Sequence, residues 1–368
     1  VFYTYFGYGL LLWILAKISK KQVYEEDHWP SVSVVISVYN EEECITETIH
    51  SILKTDYDEN KLDILVISDQ STDRTNEIIK EFNNPRVKLI ELKERVGKNN
   101  ALSQNALKAE GEIIVLIDAS SVFMRETIKN IVKPFSTKLV GSTTGQKVIR
   151  KTGSDIAKGD GLYWRYDAHL RHLESQTGSS MVGVEGGLTA VRRNLFSFDF
   201  PADWSADYSL CCHVIRKGFV NRYIPDAQVW EMASASMEKE FFRKIRVIVR
   251  HIRAFFGNWD LLNPFTHPGF VFQNVSHRLL RWILPFVLLA MWGLSYRSDL
   301  IVMKSFFILQ SLFYTLALIG VFIKKTKRQT WLTSIPLYFS TVNMAALISW
   351  FLVFKKYGTW QSTIREPV

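Results

Sequence analysis

Cysteine is scarce in this sequence of 368 residues, with only Cys44, Cys211 and Cys212. There is no CxxC pair, and neighbouring cysteines rarely bridge each other, which excludes a disulfide framework and a zinc site and leaves reduced cytosolic thiols. A Walker phosphate loop is also missing. Gly97-Lys98 would need an earlier glycine where Leu92 stands and a Ser or Thr where Asn99 stands. Charge is absent from Val1 to Ala16, and Lys17, Lys20 and Lys21 follow at once. That order predicts a membrane helix over residues 1–20 with its C-terminal end in the cytosol. A secretory signal fits poorly, because the charges follow the apolar run and no small-residue cleavage site closes it. The chain opens on Val1, not methionine, which leaves room for an upstream segment.

What is present is uneven. The mean hydropathy of +0.02 averages a polar middle with strongly apolar ends. Apolar stretches near 279–296, 300–323 and 331–354 are each about long enough to span a bilayer, with Trp282, Trp292, Trp331 and Trp350 toward their ends. The net charge of +9 crowds beside these segments, as anionic headgroups favour, and nucleic acid is set aside as a partner. Positive charge flanks the last stretch on both sides, at 324–328 and 355–356. Either that segment is re-entrant or bent, with Pro336 and Asn343 allowing it, or one cluster lies outside. Before the spans, residues 238–256 place Arg243, Arg246, Arg250 and Arg253 on one helical face, beside an apolar stripe of Phe242, Ile245, Val249, Ile252 and Phe256. A helix lying in the membrane interface suits this pattern; a surface helix packed on the soluble part is the alternative.

Between these regions, β-rich runs at 32–38, 64–68, 87–92 and 113–117 alternate with helical patterns at 42–54, 73–82 and 97–108. The alternation predicts an α/β fold with a mostly parallel sheet, helices on both faces and a ligand site beyond the strands' carboxyl ends. The chemistry-bearing residues lie there. Tyr39 and Glu41 follow the first strand, where a helix start offers amide donors and Tyr39 an aromatic face for a base, although an ordinary capped helix reads the same way. Asp69 ends the second strand and can accept from a base or ribose, whereas Asp73 reads as a helix cap. Lys98 opens a helix and offers a point charge for a diphosphate, or is a plain surface lysine. Asp118 ends the fourth strand, and a carboxylate there is expected to meet a divalent cation, Mg2+ or Mn2+, that bridges two donor phosphates. A spaced second carboxylate is missing; Ser120 offers a neutral oxygen, so phosphate and water are expected to complete the ligands. Gly186 and Gly187 let backbone approach a bulky ligand, or make a tight bend. Asp207 suits a general base for a sugar hydroxyl and, taken singly, equally suits a helix cap.

The order of these features resembles the family 2 inverting glycosyltransferases, the group holding cellulose, hyaluronan and poly-N-acetylglucosamine synthases, from about Val32 to Arg253. The resemblance implies a GT-A-type nucleotide-sugar-binding domain over 30–232, interfacial helices over 233–278, a transmembrane region over 279–356 and a tail over 357–368. It implies that Asp69 contacts the donor's base, Lys98 lies near the nucleotide, Asp118 leads the metal-binding motif, Asp207 is the base, and Arg246, with Arg243 before it, faces the diphosphate. Partners follow: a nucleotide-sugar donor, a UDP-sugar by this resemblance, a glycan or lipid-linked acceptor, and the lipid bilayer of the inner membrane with the domain on the cytoplasmic side. The sequence departs from the pattern at Arg243 for glutamine, Val247 for tryptophan, Ala206 for an acidic residue and Ser120 for the second metal carboxylate. Such synthases use the tryptophan to hold the acceptor sugar, so its absence counts against processive polymerisation. Trp360, Thr363 and Arg365 also resemble a cytosolic tail motif of these synthases, which favours an unusual last membrane segment.

The expected reaction is a single displacement with inversion, since one base candidate is present and no second carboxylate is placed as nucleophile. The rivals are a non-processive transferase to a polyprenyl phosphate, and a relative that binds nucleotide without catalysis. A transporter is set aside because ionisable residues cluster outside the spans.

Overall fold

The structure is a computed structural model that describes residues 1–19, 24–25, 28–150, 157–181, 187–232, 237–323 and 330–355. Gly186 and the tail residues Trp360, Thr363 and Arg365 lie outside the described residues. An N-terminal helix, α1 (Tyr8–Ile18), continues a π-helical turn over Tyr3–Gly7. The next elements are β1 (Val32–Val38), α2 (Ile45–Leu53), β2 (Leu62–Ser68), α3 (Thr75–Glu81), β3 (Val87–Glu91), α4 (Lys98–Asn105) and β4 (Ile113–Ile117). Then follow β5 (Val122–Phe123), α5 (Thr127–Val132), β6 (Val140–Arg150), α6 (Ala157–Gln176), β7 (Leu188–Arg192), α7 (Ala206–Arg216) and β8 (Val220–Met232). The chain ends in α8 (Met237–Gly257), α9 (Pro268–Gln273), α10 (Leu280–Arg297), α11 (Ile301–Ile323) and α12 (Trp331–Leu352).

The strands form one sheet in the order β3-β2-β1-β4-β7-β6-β8-β5. Near-continuous apolar runs such as β1 and β4 need both faces covered, and alternate residues do go to opposite sides. Val34, Ile36 and Val115 pack with Ile45, Ile49 and Ile131 from α2 and α5. Val35, Ile114 and Leu116 pack with Leu102 of α4 and with Leu210 and Val214 of α7. The half containing β3, β2, β1 and β4 is parallel, as expected. The sheet is mostly parallel, as expected, since β6 also pairs parallel with β8; the exceptions are β7, antiparallel to β4 and β6, and β5, antiparallel to β8. Strand periodicity carries no direction, so only the pairing reveals this. Because the chain leaves β1 toward β2 on one side and returns to β4 on the other, the crevice opens where the strand order reverses, at the carboxyl ends of β1, β2 and β4.

Among the described residues, three helices are long and apolar enough to cross a membrane: Pro268–Arg297, Ile301–Ile323 and Trp331–Leu352. Their outward faces carry Ile301, Leu309 and Phe322 at 81%, 64% and 76% exposure, an apolar surface suited to lipid. In the last span, α12 is one unbroken helix that contains Pro336, and Asn343 donates to the carbonyl of Phe339 at 2.9 Å. Its C-terminal half runs beside α8. Ile245 and Val249 bury against Ala345, the Ser349 hydroxyl donates to the carbonyl of Ile245 at 3.3 Å, and Arg253 Nε donates to that of Val353 at 2.9 Å. The middle of the apolar stripe on α8 therefore faces protein, while Phe242 and Phe256 at its ends stay exposed. Over 1–20, the described helix lays Tyr8 and Leu12 on Leu170 and Leu173 of α6 and leaves Phe2, Phe6 and Leu10 exposed.

Where α6 meets the start of the first long apolar helix, ionised groups are buried together. Asp167 accepts from Arg171, from His277 Nε2 at 2.9 Å and from Arg281 at 2.8 Å; Glu174 accepts from His277 Nδ1 at 2.6 Å and from the Tyr8 hydroxyl at 2.7 Å. Burial alone would raise the Asp167 pKa, but Arg171, with His277 and Arg281, outweighs it and holds the carboxyl well below the usual range. A depressed carboxyl stabilises the fold above the unfolded pKa of about 4 and loses that contribution as the pH falls through the folded value. Asp167→Ala leaves Arg171 and Arg281 buried without their carboxylate and is expected to lower stability by about 3–5 kcal/mol. Thermal unfolding in detergent at neutral pH checks this, with the exposed Lys304–Asp299 pair as a control expected to contribute under about 1 kcal/mol.

Candidate active site

The loops after β1 and β2 are stitched together. The Asn40 side chain accepts from the amide of Thr72 at 2.8 Å, Glu41 N donates to the Thr75 hydroxyl at 2.9 Å, and Glu42 N donates to Asp73 at 3.2 Å. Asp73 also accepts from Thr75 N at 3.0 Å, so its structural reading stands on these bonds. Tyr39 lies half-buried with the Arg95 guanidinium 3.8 Å from its ring centroid, a cation–π contact on the edge of the crevice. Glu41 accepts from the Cys44 thiol at 3.1 Å.

Asp69 is 1% exposed, and its two oxygens accept from Val96 N at 2.7 Å and Gly97 N at 2.8 Å. A buried carboxylate needs such donors, and these fold the 92–97 loop over the end of β2. Gly97 turns there at φ +85°, a conformation in which a side chain is strained, and Lys98 follows as the first residue of α4. Asp69 therefore shapes the loop that presents Arg95 and aims Lys98.

Lys98 is where the site converges. Its ammonium lies 2.5 Å from Asp118 Oδ1. Burial pulls its pKa down, but the carboxylates of Asp118, then Asp207 and Glu231, outweigh this and hold it above the ordinary value. Asp118, just after β4, thus pairs with the lysine directly, and Asp207 of α7 and Glu231 of β8 lie within electrostatic reach of it. Glu231 is the group that linear spacing missed. It lies beside Ser120, whose hydroxyl donates to it at 3.4 Å, and Lys147 bridges it to Asp118 at 2.6 and 3.6 Å. A second carboxylate is therefore available, and it comes from β8 instead of a position two or three residues after Asp118. Nothing local marks it, because β8 also carries Asn221, Arg222, Asp226 and Gln228. Two carboxylates and a hydroxyl are hard oxygen donors of the kind Mg2+ and Mn2+ prefer, so the residues fit a divalent cation completed by phosphate and water. Among the described residues no cluster of three acidic, histidine or cysteine side chains forms a closed metal cage.

Asp207 is the second residue of α7 and not its cap, because Ser205 holds that position. The α8 arginines brace the segment leading to it. Arg253 pairs with Asp203 at 2.9 Å, Arg250 donates to the carbonyl of Ala202 at 2.7 Å, and the backbone of Ser205 donates to that of Arg250 at 3.1 Å. His251 adds a further tie at 3.3 Å to the Ser205 hydroxyl; burial, with Arg278 nearby, pushes its pKa down to about 3, so the ring is neutral at pH 7. Its Nδ1 lies 2.8 Å from the Val247 carbonyl, which can only accept, leaving Nε2 to accept from Ser205. Arg243 and Arg246 lie earlier on the same helix, and burial, with Arg243 adjacent, lowers the Arg246 pKa. Arg250 is the arginine whose charge reaches both Asp203 and Asp207. It was not among the residues expected to bind donor.

A sheet with a parallel half, and carboxylates from separate strand ends gathered at its switch point, define an α/β protein with a polar ligand site at that crevice. Residues 33–198 match the family model described as Glycosyl transferase family 2. It is 32% identical over 136 residues, 36% of this chain and 32% of the relative, to the poly-beta-1,6-N-acetyl-D-glucosamine synthase of Staphylococcus epidermidis. The synthase of the same name from Staphylococcus aureus strain COL is 28% identical over 237 residues, 62% of this chain and 56% of the relative. The chain thus spans from a third to just over half of these curated relatives. In fold it is similar to a mannosyltransferase from Pyrobaculum calidifontis solved with GDP-Man and Mn2+, at a TM-score of 0.67 and 24% identity, covering 93% of this chain and 95% of that one.

Proposed function

We propose that this protein is a membrane-bound glycosyltransferase that moves a sugar from a nucleotide-sugar donor, with inversion, to a polysaccharide or lipid-linked acceptor. The observation that carries the reading is the gathering of Asp118 and Glu231 about Lys98 and Lys147 at the switch point, with Asp207 within electrostatic reach. The carboxylate pair Asp118 and Glu231, with Ser120, would hold the divalent cation, which when bound neutralises charge on the donor's diphosphate. Lys98 supplies a second, fixed positive charge to the same phosphates. Tyr39 and Arg95 offer a stacking surface for the base, and Asp69 holds the loop that carries Arg95. Asp207 takes the proton from the acceptor hydroxyl as it attacks the anomeric carbon, and Arg250 and Arg253 keep the 202–205 segment in register with it. Arg243 and Arg246 lie on the approach along α8, where an acceptor leaving the bilayer would pass.

The relatives' names point to N-acetylglucosamine polymers and hence to a UDP-sugar, and the mannosyltransferase to GDP-mannose; both donors belong in the first screen. Transfer to a lipid-linked acceptor without polymerisation is the second reading. It is favoured by Val247, 38% exposed on α8 at the position where the synthases carry tryptophan. Purified protein given UDP- and GDP-sugars with Mg2+ or Mn2+ is expected to release nucleoside diphosphate from one of them. Product sizing then separates a ladder of chain lengths from a single addition. No release from any donor, with nucleotide still bound, would leave only a binding protein.

A further inference from the structure

Lys147 lies on β6, diagonal to Glu231 on the parallel neighbour β8 and on the same face of the sheet. Its side chain is 21% exposed, and its ammonium lies 2.6 Å from Glu231 Oε2 and 3.6 Å from Asp118 Oδ2. It therefore sits between the two carboxylates that the reading above gives to a divalent cation. Gly187 packs against the stem. A Cβ at that position, where φ is +144°, would stand 2.5 Å from the lysine Cε and 3.1 Å from Nζ. The glycine lets the backbone close on the lysine and leaves its ammonium directed at the carboxylates. An ammonium and a divalent cation repel strongly at a separation of a few ångströms, so one group of oxygens cannot hold both at full strength.

We propose that Lys147 is the resident counter-ion of Asp118 and Glu231, and that a divalent cation enters only together with a nucleoside diphosphate, whose oxygens take over the ammonium. The inference rests on the assignment of Asp118 and Glu231 as cation ligands. Without donor the two carboxylates are neutralised by Lys98 and Lys147, so neither is left as an uncompensated charge in a half-buried site. With donor, the phosphates bring negative charge that pairs with the lysines and releases the carboxylates to the metal. Metal and nucleotide then strengthen each other's binding by the same factor, as linkage requires.

Binding of Mn2+ to the full chain in detergent, read from the loss of the free-ion spin-resonance signal, tests this without any turnover. The wild type is expected to bind Mn2+ alone at least tenfold more weakly than with saturating UDP or GDP. Lys147→Met, and Lys147→Gln as a second neutral variant, are expected to bind Mn2+ alone at least tenfold more tightly than the wild type and to lose most of the nucleotide dependence. Lys147→Arg keeps the charge and is expected to keep the dependence. Circular dichroism and thermal unfolding show whether each variant is folded. If the folded neutral variants bind Mn2+ alone no better than the wild type while nucleotide still promotes binding, the counter-ion role is wrong and the cation site stands. If the wild type binds no Mn2+ with either nucleotide, the cation site itself is wrong, and the inference falls with it.

Discussion

Asp207→Asn is expected to lower kcat by about 10²- to 10⁴-fold, the usual contribution of a well-placed general base, with donor affinity unchanged. The amide keeps the size and polarity of the carboxylate but cannot take a proton at neutral pH. Position favours Asp207 over its acidic neighbour: Asp203 is tied to Arg253, whereas Asp207 lies in the first turn of α7 with its charge directed at Lys98 and Arg250. The same geometry forecasts the control. Asp203→Asn loosens the Arg253 brace and is expected to reduce the rate far less. Initial rates with a saturating donor, together with nucleotide binding by calorimetry, check both; wild-type turnover in Asp207→Asn would rule the residue out as the base.

The second large effect is expected from Asp118→Asn. The carboxylate accepts from Lys98 at 2.5 Å and shares Lys147 with Glu231, so neutralising it weakens the ligand set and leaves two ammoniums with one carboxylate fewer. Cation stabilisation of a departing diphosphate is worth several kcal/mol, and each 1.36 kcal/mol is tenfold, so the rate is expected to fall about a thousandfold or more. Glu231→Gln should lose activity in the same direction, because it removes the other carboxylate of the pair. Titrating Mn2+ into each variant with UDP or GDP present distinguishes lost cation affinity from lost turnover. Full activity with unchanged metal dependence in Asp118→Asn would remove this residue from the cation site.

The two variants probe residues of different legibility. Asp118 was readable because a carboxylate at the tip of an apolar strand needs a cation, whatever the rest of the chain does. Asp207 had two readings from its neighbours, cap or base, and the position of Ser205 at the helix start removes the first. Arg250 was visible only as one of four basic residues on a helical face. Packing of α8 against the 202–205 segment separates it from Arg243 and Arg246.

The first four strands, their crossover helices and the long apolar helices were determined by local patterns: continuous β-branched runs, a periodicity near 3.6 and stretches poor in charge. Those signals act within a few residues, and the chain states them directly. Tertiary structure alone decided that β7 enters antiparallel, that α12 covers the stripe on α8, and that Glu231 and Lys147 join Asp118. The reason is that strand direction and the meeting of distant side chains are settled by pairing and packing between segments far apart in the chain, where no local period carries information.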